Sequence, residues 1–491
     1  MAKQQTGSPP QSDGRAKRKS PKPAAVPTKK AGAKAPRKAR AKAAPATVRM
    51  YKLQLGDCFL LTFPKDDGGK FHMLVDCGLV QGAEDPTTVL TGVAQDIKKT
   101  TGGVLDLVLI THEHWDHLSG FNQARGVFEG IAFKQLWVAW TEDPADALAN
   151  SLRAERAGRR QALDGLLDRV AGQQGFDDDP QLAMAQNLRA FHGSLGVAGE
   201  GKVGDAFDWV KQHAGAANTR FCRPGDLLTL PGVSGARVYV LGPPHDEVLI
   251  HRSNPSGSHP ETYLAEAERQ LSAALNATGE RDGGAPLTPF DSTNGISPEA
   301  AASVPLFAHY LDPAAEPWRR IDTDWLGVIG PLALQLDSDT NNTSLAVAVE
   351  LLPSRKVLLF PGDAQVGNWL SWQDIKAWTV PGPGGQVVAT DVNDLFARTV
   401  LYKVGHHGSH NATLREQGLE RMTNEALSAL IPVVPSFAKE IKKWTMPWPD
   451  LLKSLIARTS AQVLDATAHD AGPGVTVTDL FIEVPIANEG V

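Results

Sequence analysis

The strongest constraint on the fold of this chain is a cluster of histidine and aspartate residues that directly follows an apolar segment. The segment 105–110 reads Leu-Asp-Leu-Val-Leu-Ile and ends at Thr111. A nearly continuous apolar run of this length is typical of a strand that is covered on both faces. The cluster after it contains His112, His114, Asp116 and His117. We therefore expect a buried strand of an α/β protein to present four metal-capable side chains at its carboxyl end.

The spacing of these side chains predicts two neighbouring metal positions. Alternate residues beyond a strand end can converge on one point, which suits His112 and His114. The turn that follows can direct Asp116 and His117 towards a second point. Imidazole and carboxylate groups suit zinc, with manganese or iron as alternatives. Two divalent ions about 3.5–4 Å apart can hold a bridging hydroxide and stabilise both oxygens of a hydrolytic displacement.

The same cluster resembles the His-x-His-x-Asp-His signature of the metallo-β-lactamase superfamily. Five further segments resemble the branch typified by the soluble domain of the DNA-uptake protein ComEC/Rec2, namely 55–61, 73–78, 342–345, 357–363 and 403–409. The resemblance implies a metal-dependent hydrolase that uses a metal-bound hydroxide. Strand segments towards both ends of the chain, with helical segments between them, predict an αββα sandwich, in which two facing sheets carry helices outside.

The resemblance implies roles for three residues in the last third of the chain. Asp363 follows an apolar strand and would bridge both ions. Either His406 or His407 would complete the second position with Asp116 and His117. The other histidine would face the substrate, where it could donate a hydrogen bond or a proton to the leaving group. Spacing alone leaves the choice between the two histidines open.

The sequence also offers candidates for residues around the two positions. The superfamily usually adds a third histidine to the first position, and the segment 238–245 supplies a strand, a tight turn and His245. His192 is a second candidate. Asp57 and Asp76 resemble aspartates that orient ligand histidines through hydrogen bonds, although turn formation or helix capping is an alternative role.

The first 47 residues differ in composition from the rest of the chain. Residues 1–50 hold 14 lysine and arginine residues and one acidic residue, Asp13, so the remainder holds 35 basic and 54 acidic residues. A segment so rich in Lys, Ala and Pro is typical of disorder. We expect either a solubilising tail or a tail that binds nucleic acid or another polyanion. The predicted domains are thus a tail at 1–47 and a metallo-β-lactamase-fold domain at 48–491.

Other sequence features exclude several classes of protein. The cysteines Cys58, Cys77 and Cys222 show no Cys-x-x-Cys spacing, which argues against a disulfide framework or a cysteine zinc finger. No apolar run reaches the roughly 18–20 residues that span a bilayer, and the first residues lack the apolar core of a signal peptide. We therefore expect a cytoplasmic protein. The absence of a Gly-x-Ser-x-Gly segment argues against a serine hydrolase.

The middle of the chain adds nothing to the resemblance. Apolar residues at helical spacing predict a large, mostly helical insertion at about 145–325. Because recognition usually resides in segments around a rigid scaffold, this insertion should govern specificity. Further along, an apolar run predicts a strand at 332–336, and the pattern at 412–423 predicts a helix.

Three functions are compatible with these features. The first is hydrolysis of phosphodiester bonds, as in a nuclease, which the branch resemblance and the basic tail favour. The second is hydrolysis of a small ester, thioester, lactone or lactam, which the same metal chemistry would serve. The third is a non-catalytic metal-binding scaffold. The full set of His and Asp residues argues against the third function.

Overall fold

The structure is a computed structural model that describes residues 45–170, 180–189, 192, 203–252, 304, 326–382, 386–459, 462–472 and 474–488. Two large sheets contain most of the strands in these ranges. The strands are, in chain order, β1 (Ala46–Tyr51), β2 (Cys58–Pro64), β3 (Lys70–Cys77), β4 (Val104–Leu105), β5 (Leu107–Leu109), β6 (Ala132–Phe133), β7 (Leu136–Ala139), β8 (Thr219–Cys222), β9 (Leu227–Leu230), β10 (Val233–Gly242), β11 (Ala346–Leu351), β12 (Lys356–Phe360), β13 (Trp378–Pro381), β14 (Val387–Thr390), β15 (Thr399–Lys403), β16 (Ser428–Ile431), β17 (Val463–Asp465), β18 (Thr476–Val477) and β19 (Phe481–Ile486).

Helices occupy much of the chain between these strands. The α-helices of the described ranges are α1 (Pro86–Thr101), α2 (Trp115–Gln123), α3 (Arg125–Phe128), α4 (Ala147–Val170), α5 (Pro180–Arg189), α6 (Val203–Ala214), α7 (Glu247–Ile250), α8 (Leu326–Asn341), α9 (Val366–Ser371), α10 (Val392–Ala397), α11 (Pro435–Glu440) and α12 (Pro449–Arg458). None of the helices in the described part of the chain combines the length and the apolar character that crossing a bilayer requires.

The two large sheets are both mixed. The first has the strand order β18-β19-β1-β2-β3-β5-β7-β8, with antiparallel pairing from β18 to β3 and parallel pairing from β3 to β8. The second has the order β17-β16-β15-β12-β11-β10-β9, antiparallel from β9 to β12 and parallel from β12 to β17. Because β12, β15 and β16 are parallel, the segments that follow them leave the sheet along one edge.

An apolar core joins the two sheets. One cluster of buried side chains draws on both, and the rings of Phe59 in β2 and Phe360 in β12 meet edge to face with their centres 5.6 Å apart. Side chains along β12 alternate between two cores: Leu358 faces the other sheet, whereas Val357 and Leu359 face the helices. The first sheet is covered on its other face by α1, α2 and α6. The second is covered by α4, α5, α8, α10, α11 and α12.

The predicted α/β class is confirmed, but two predicted elements are wrong. The strand predicted at 332–336 lies within helix α8. Leu332, Ala333 and Leu336 are buried there at helical spacing and Leu334 is 46% exposed, so the apolar run covers one helix face. The helix predicted at 412–423 consists of turns and one 3-10 segment, Leu419–Arg421. A side chain at position 418 would collide with the Leu414 carbonyl, which fits the glycine found there and the turn of the chain.

The middle of the chain contributes to both sheets. Helices α4, α5 and α6 agree with the predicted helical character of this region. The strand β8, however, lies in the first sheet, and β9 and β10 lie in the second. The predicted insertion therefore contains sheet strands as well as helices, and its limits stay a prediction. Most of the predicted basic tail, 1–44, lies outside the described residues, while Ala46 and Thr47 already belong to β1.

Candidate metal centre

The predicted histidine and aspartate cluster lies between strand β5 of the first sheet and helix α2. His112 follows β5 after two residues, and His114 is the extended residue that precedes α2, with φ −116° and ψ 154°. Asp116 and His117 lie in the first turn of α2. An acidic side chain is favoured in this position because the amino-terminal end of a helix carries partial positive charge. The transition from strand to helix thus groups all four predicted side chains at one end of the sheet.

Two residues from the second sheet meet this cluster. Asp116 Oδ2 lies 2.8 Å from His407 Nε2 and 3.7 Å from His117 Nε2. Asp363 Oδ2 lies 3.2 Å from His117 Nε2 and 3.6 Å from His407 Nε2. Ligand atoms about 2.0–2.1 Å from a tetrahedral zinc ion lie about 3.3–3.4 Å from one another. These four oxygen–nitrogen distances bracket that spacing, and all four side chains are buried. The ligand atoms of Asp57, His117, Asp363 and His407 also all lie within 4.8 Å of one another.

Asp363 is placed by the turn that follows β12. Gly362 has φ 60°, and a side chain there would come 3.0 Å from the Cβ atoms of Ser344 and Thr111. Glycine therefore allows both the left-handed backbone and the close approach to the neighbouring strand ends. The backbone N–H of Asp363 donates to Ser344 Oγ at 3.1 Å. These contacts fix the carboxylate on the edge that faces His117.

The structure distinguishes His406 from His407. Both adopt left-handed backbone conformations, with φ 43° and 52°, which non-glycine residues seldom do outside functional sites. His407 Nδ1 donates to the Pro432 carbonyl at 3.1 Å, so Nε2 is left to face Asp116. The backbone N–H of His406 donates to Asp363 Oδ1 at 3.2 Å, and burial lowers the pKa of His406 to about 4. The geometry favours His407 as the ligand and leaves His406 beside the cluster.

Asp76 orients His117. His117 Nδ1 donates to Asp76 Oδ2 at 2.7 Å, while the backbone and hydroxyl groups of Thr111 donate to the same carboxylate at 2.8 and 2.6 Å. This arrangement fixes the ring so that Nε2 faces Asp363, which is how carboxylates commonly orient metal-binding histidines. Burial alone would lower the pKa of His117, but the carboxylates around it, that of Asp363 foremost, raise it.

A buried lysine that the sequence analysis did not assign lies between two of the aspartates. Lys403 Nζ lies 2.5 Å from Asp57 Oδ2 and 2.9 Å from Asp363 Oδ1, and it donates to the Gly362 carbonyl at 2.9 Å. Burial would lower the pKa of Lys403, but the two carboxylates raise it. Its charge in turn holds the pKa of Asp363 well below the usual range, against the effect of burial. Lys403 is the first residue of the segment 403–409, so the family resemblance already pointed to this lysine.

His112 and His114 form a second group next to the first. His112 Nε2 and His114 Nδ1 are 2.9 Å apart, and His114 Nε2 lies 3.9 Å from Asp337 Oδ1 in α8. Ser344 Oγ lies 3.3 Å from His112 Nδ1 on its opposite side. Burial lowers the pKa values of both histidines well below the usual range, which keeps them neutral and able to bind a metal ion. No sequence pattern marked Asp337 as a neighbour of the site.

The two candidates for a third histidine lie in different surroundings. The His192 ring centre is 4.9 Å from that of His114, the residue is 4% exposed, and within the described part of the chain neither ring nitrogen has a hydrogen-bond partner. Two histidine rings bound to one tetrahedral ion have centres about 5 Å apart. His245 instead contacts Asp146 at 2.9 Å, its ring is tilted by 41° against that of Trp140, and 44% of its side chain is exposed. The structure thus brings His192, rather than His245, to His114.

Comparison with known proteins does not assign this site to a family. The chain matches no protein-family profile and no curated protein sequence. What the chain can do must therefore be argued from the side chains that meet at the ends of β5, β12 and β15.

Proposed function

We propose that this protein is a metal-dependent hydrolase of the metallo-β-lactamase fold that cleaves phosphodiester bonds. The observation that carries the proposal is the approach of the buried carboxylates of Asp116 and Asp363 to the imidazoles of His117 and His407, with the four oxygen–nitrogen distances between 2.8 and 3.7 Å. Asp116 Oδ1 is also buried and has no hydrogen-bond partner among the described residues, as expected of a carboxylate oxygen that binds a cation. Two facing sheets with helices on both outer faces support an αββα sandwich.

The residues of the centre fit two divalent ions. Asp116, His117 and His407 would hold the second ion together with Asp363, which approaches both histidines. The family resemblance implies that Asp363 would also bind the first ion. His112 and His114 would hold the first ion together with His192, whose ring lies against that of His114. The His and Asp donor set suits zinc, with manganese or iron as alternatives. When bound, such ions lower the pKa of water towards neutrality and offset negative charge that develops on the reacting group.

Neighbouring buried residues fix the positions of the candidate ligands. Asp76 fixes the ring of His117, and Lys403 fixes the carboxylate of Asp363. Because these groups are buried, their electrostatic interactions are stronger than they would be in water. His406 is neutral at pH 7, since its pKa is about 4, and its N–H can donate a hydrogen bond to a substrate oxygen. It is the residue we assign to face the substrate.

A cleavage assay with metal-free and metal-loaded protein tests this function. We expect the full chain reloaded with zinc or manganese to hydrolyse bis(p-nitrophenyl) phosphate and to cut single- or double-stranded DNA, and the metal-free chain to do neither. p-Nitrophenyl acetate provides a neutral ester with the same leaving group. Turnover of the acetate alone would favour the small-ester function. Turnover of none of these substrates by fully loaded protein would leave the scaffold function.

Metal analysis tests the role of His192 separately. Replacement of His192 by alanine should lower the metal content of the purified protein from about two ions per chain towards one, because the first position would lose a ligand. The measurement is elemental analysis after dialysis, supported by the absorption spectrum of the cobalt form. His245→Ala is the matched control and should still hold two ions. Equal metal content in the two variants would contradict the assignment of His192.

A further inference from the structure

Asp337 is a buried aspartate that approaches the candidate metal centre from helix α8. It is 4% exposed, and its Oδ1 atom has no hydrogen-bond partner among the described residues. Its other oxygen, Oδ2, accepts a hydrogen bond from Asn341 Nδ2 at 3.0 Å, one turn further along the same helix. A buried carboxylate oxygen without a partner is costly. The bond to Asn341 alone therefore does not account for an aspartate at this position.

The unpartnered oxygen lies next to a candidate ligand of the first ion. Asp337 Oδ1 is 3.9 Å from His114 Nε2. The other ring nitrogen, His114 Nδ1, is 2.9 Å from His112 Nε2. Because two nitrogens that approach each other in this way can bind one ion, His114 would bind the first ion through Nδ1. Its Nε2 atom then faces away from the ion and towards α8.

The proton of His114 gives this contact its chemical role. A metal-binding imidazole is neutral and keeps one proton, so binding through Nδ1 places that proton on Nε2. A buried N–H group needs an acceptor. Burial and the negative charges of Asp116 and Asp363 raise the pKa of Asp337 well above its usual range. Both the neutral and the ionised carboxyl group have an acceptor oxygen, so Asp337 can serve His114 in either form.

Three other histidines of the centre show the arrangement that we infer for His114. In each of them, one ring nitrogen faces the metal centre and the other lies beside an oxygen atom. The pairs are His112 Nδ1 with Thr111 Oγ1 at 3.0 Å, His117 Nδ1 with Asp76 Oδ2 at 2.7 Å, and His407 Nδ1 with the Pro432 carbonyl at 3.1 Å. Such acceptors fix the ring and the tautomer of a metal-binding histidine. Asp337 holds the corresponding place beside His114.

Helix α8 is fixed beside the centre at its carboxyl-terminal end. The helix ends at Asn341, and the backbone N–H of Leu345 donates to the carbonyl of Thr111, which follows β5, at 2.8 Å. Asp337 lies about one turn before the end of the helix. The connection that joins α8 to the strand end therefore also brings this carboxylate to His114.

We propose that Asp337 is a positioning residue for the first ion: it accepts a hydrogen bond from His114 Nε2–H and so keeps Nδ1 directed at the ion. The role rests on the proposed function for the presence of the ion, and it does not depend on which bond the protein hydrolyses. Oδ1 and Nε2 are 3.9 Å apart, so a shift of about 1 Å brings them within hydrogen-bond distance. The carboxylate would then have a partner on each oxygen.

Zinc titration of the metal-free full chain tests this role without turnover. Isothermal titration calorimetry should show two binding events, and Asp337→Ala should raise the Kd of one of them about 10- to 100-fold, as the loss of such acceptors commonly does. Asp337→Asn keeps an acceptor oxygen and should stay within about threefold of the natural chain. Asp339→Ala is the matched control, because Asp339 is equally buried in α8 but pairs with His251 at 3.0 Å. It should leave both Kd values unchanged.

Nitrogen-15 NMR of the histidine side chains gives a readout that a purely structural role of Asp337 would not change. In the zinc-loaded natural chain, His114 should bind through Nδ1 and carry a slowly exchanging proton on Nε2, and this proton should exchange faster in Asp337→Ala. Binding through Nε2, or unchanged Kd values in Asp337→Ala, would overturn the proposal. If Asp337→Ala did not fold, Asp337→Asn would decide, since it should keep both the Nδ1 coordination and the slow exchange. Failure of the proposed function would instead appear as absent phosphodiester hydrolysis by protein that binds both ions.

Discussion

Replacement of Asp116 and His117 together by alanine should reduce kcat/KM for bis(p-nitrophenyl) phosphate by about 10³-fold or more. The two residues supply half of the four ligand atoms that meet at the second position, and both lie in the first turn of α2. Their loss should also lower the metal content, because the remaining Asp363 and His407 would leave an ion with two ligands from this group. The measurements are the steady-state rate and the metal content of the same preparation.

A second aspartate–histidine pair provides the control for this experiment. Asp146 and His245 lie 2.9 Å apart outside the metal centre, and their replacement by alanine removes the same side-chain types. We expect this control to keep two ions and to change kcat/KM by less than about threefold. If the Asp116→Ala/His117→Ala variant hydrolysed the substrate as fast as this active control, Asp116 and His117 would take no part in hydrolysis. Loss of metal from the control alone would return His245 to the list of ligands.

Replacement of Lys403 by methionine should lower the free energy of unfolding of the metal-free protein by about 3–5 kcal/mol. Methionine fills a similar volume but leaves Asp57 and Asp363 buried without their shared cation. Uncompensated buried charges are among the few causes of such large effects. Urea unfolding, followed by circular dichroism, gives the change in midpoint. Zinc should recover part of the loss, since an ion at Asp363 would offset its charge.

The exposed Lys376 supplies the comparison for this variant. Lys376→Met removes the same charge from the surface and should change the unfolding free energy by less than about 0.5 kcal/mol. A Lys403→Met protein as stable as Lys376→Met without metal would contradict the ion-pair assignment. If zinc stabilised neither variant, the link between this lysine and the metal centre would have to be abandoned.

Local sequence was sufficient to predict one half of the centre. Six consecutive residues after a buried strand contain His112, His114, Asp116 and His117, so their proximity follows from chain geometry alone. The choice between His406 and His407 did not follow, because it depends on two left-handed residues and on the Pro432 carbonyl. Spacing along the chain carries no information about such a turn.

Contacts between distant segments account for most of what the sequence could not predict. His192 and Asp337 approach His114 only because different parts of the chain pack around it. The strand predicted at 332–336 failed for a related reason: a short apolar run has the same composition in a buried strand and on a helix face.

The ligand atoms of the second position also form a bridge between layers. Asp116 and His117 follow a strand of the first sheet, whereas Asp363 and His407 follow strands of the second. An ion bound to all four would join the two sheets at one end. Farther away the sheets share an apolar core, and at the opposite end hydrogen bonds such as Ser234–Asp66 and Ser354–Asn488 connect them. In the metal-free protein, local opening that separates the two sheets would begin at this end. Metal binding would suppress that opening. Metal occupancy would then set the free energy of local opening at the candidate metal centre.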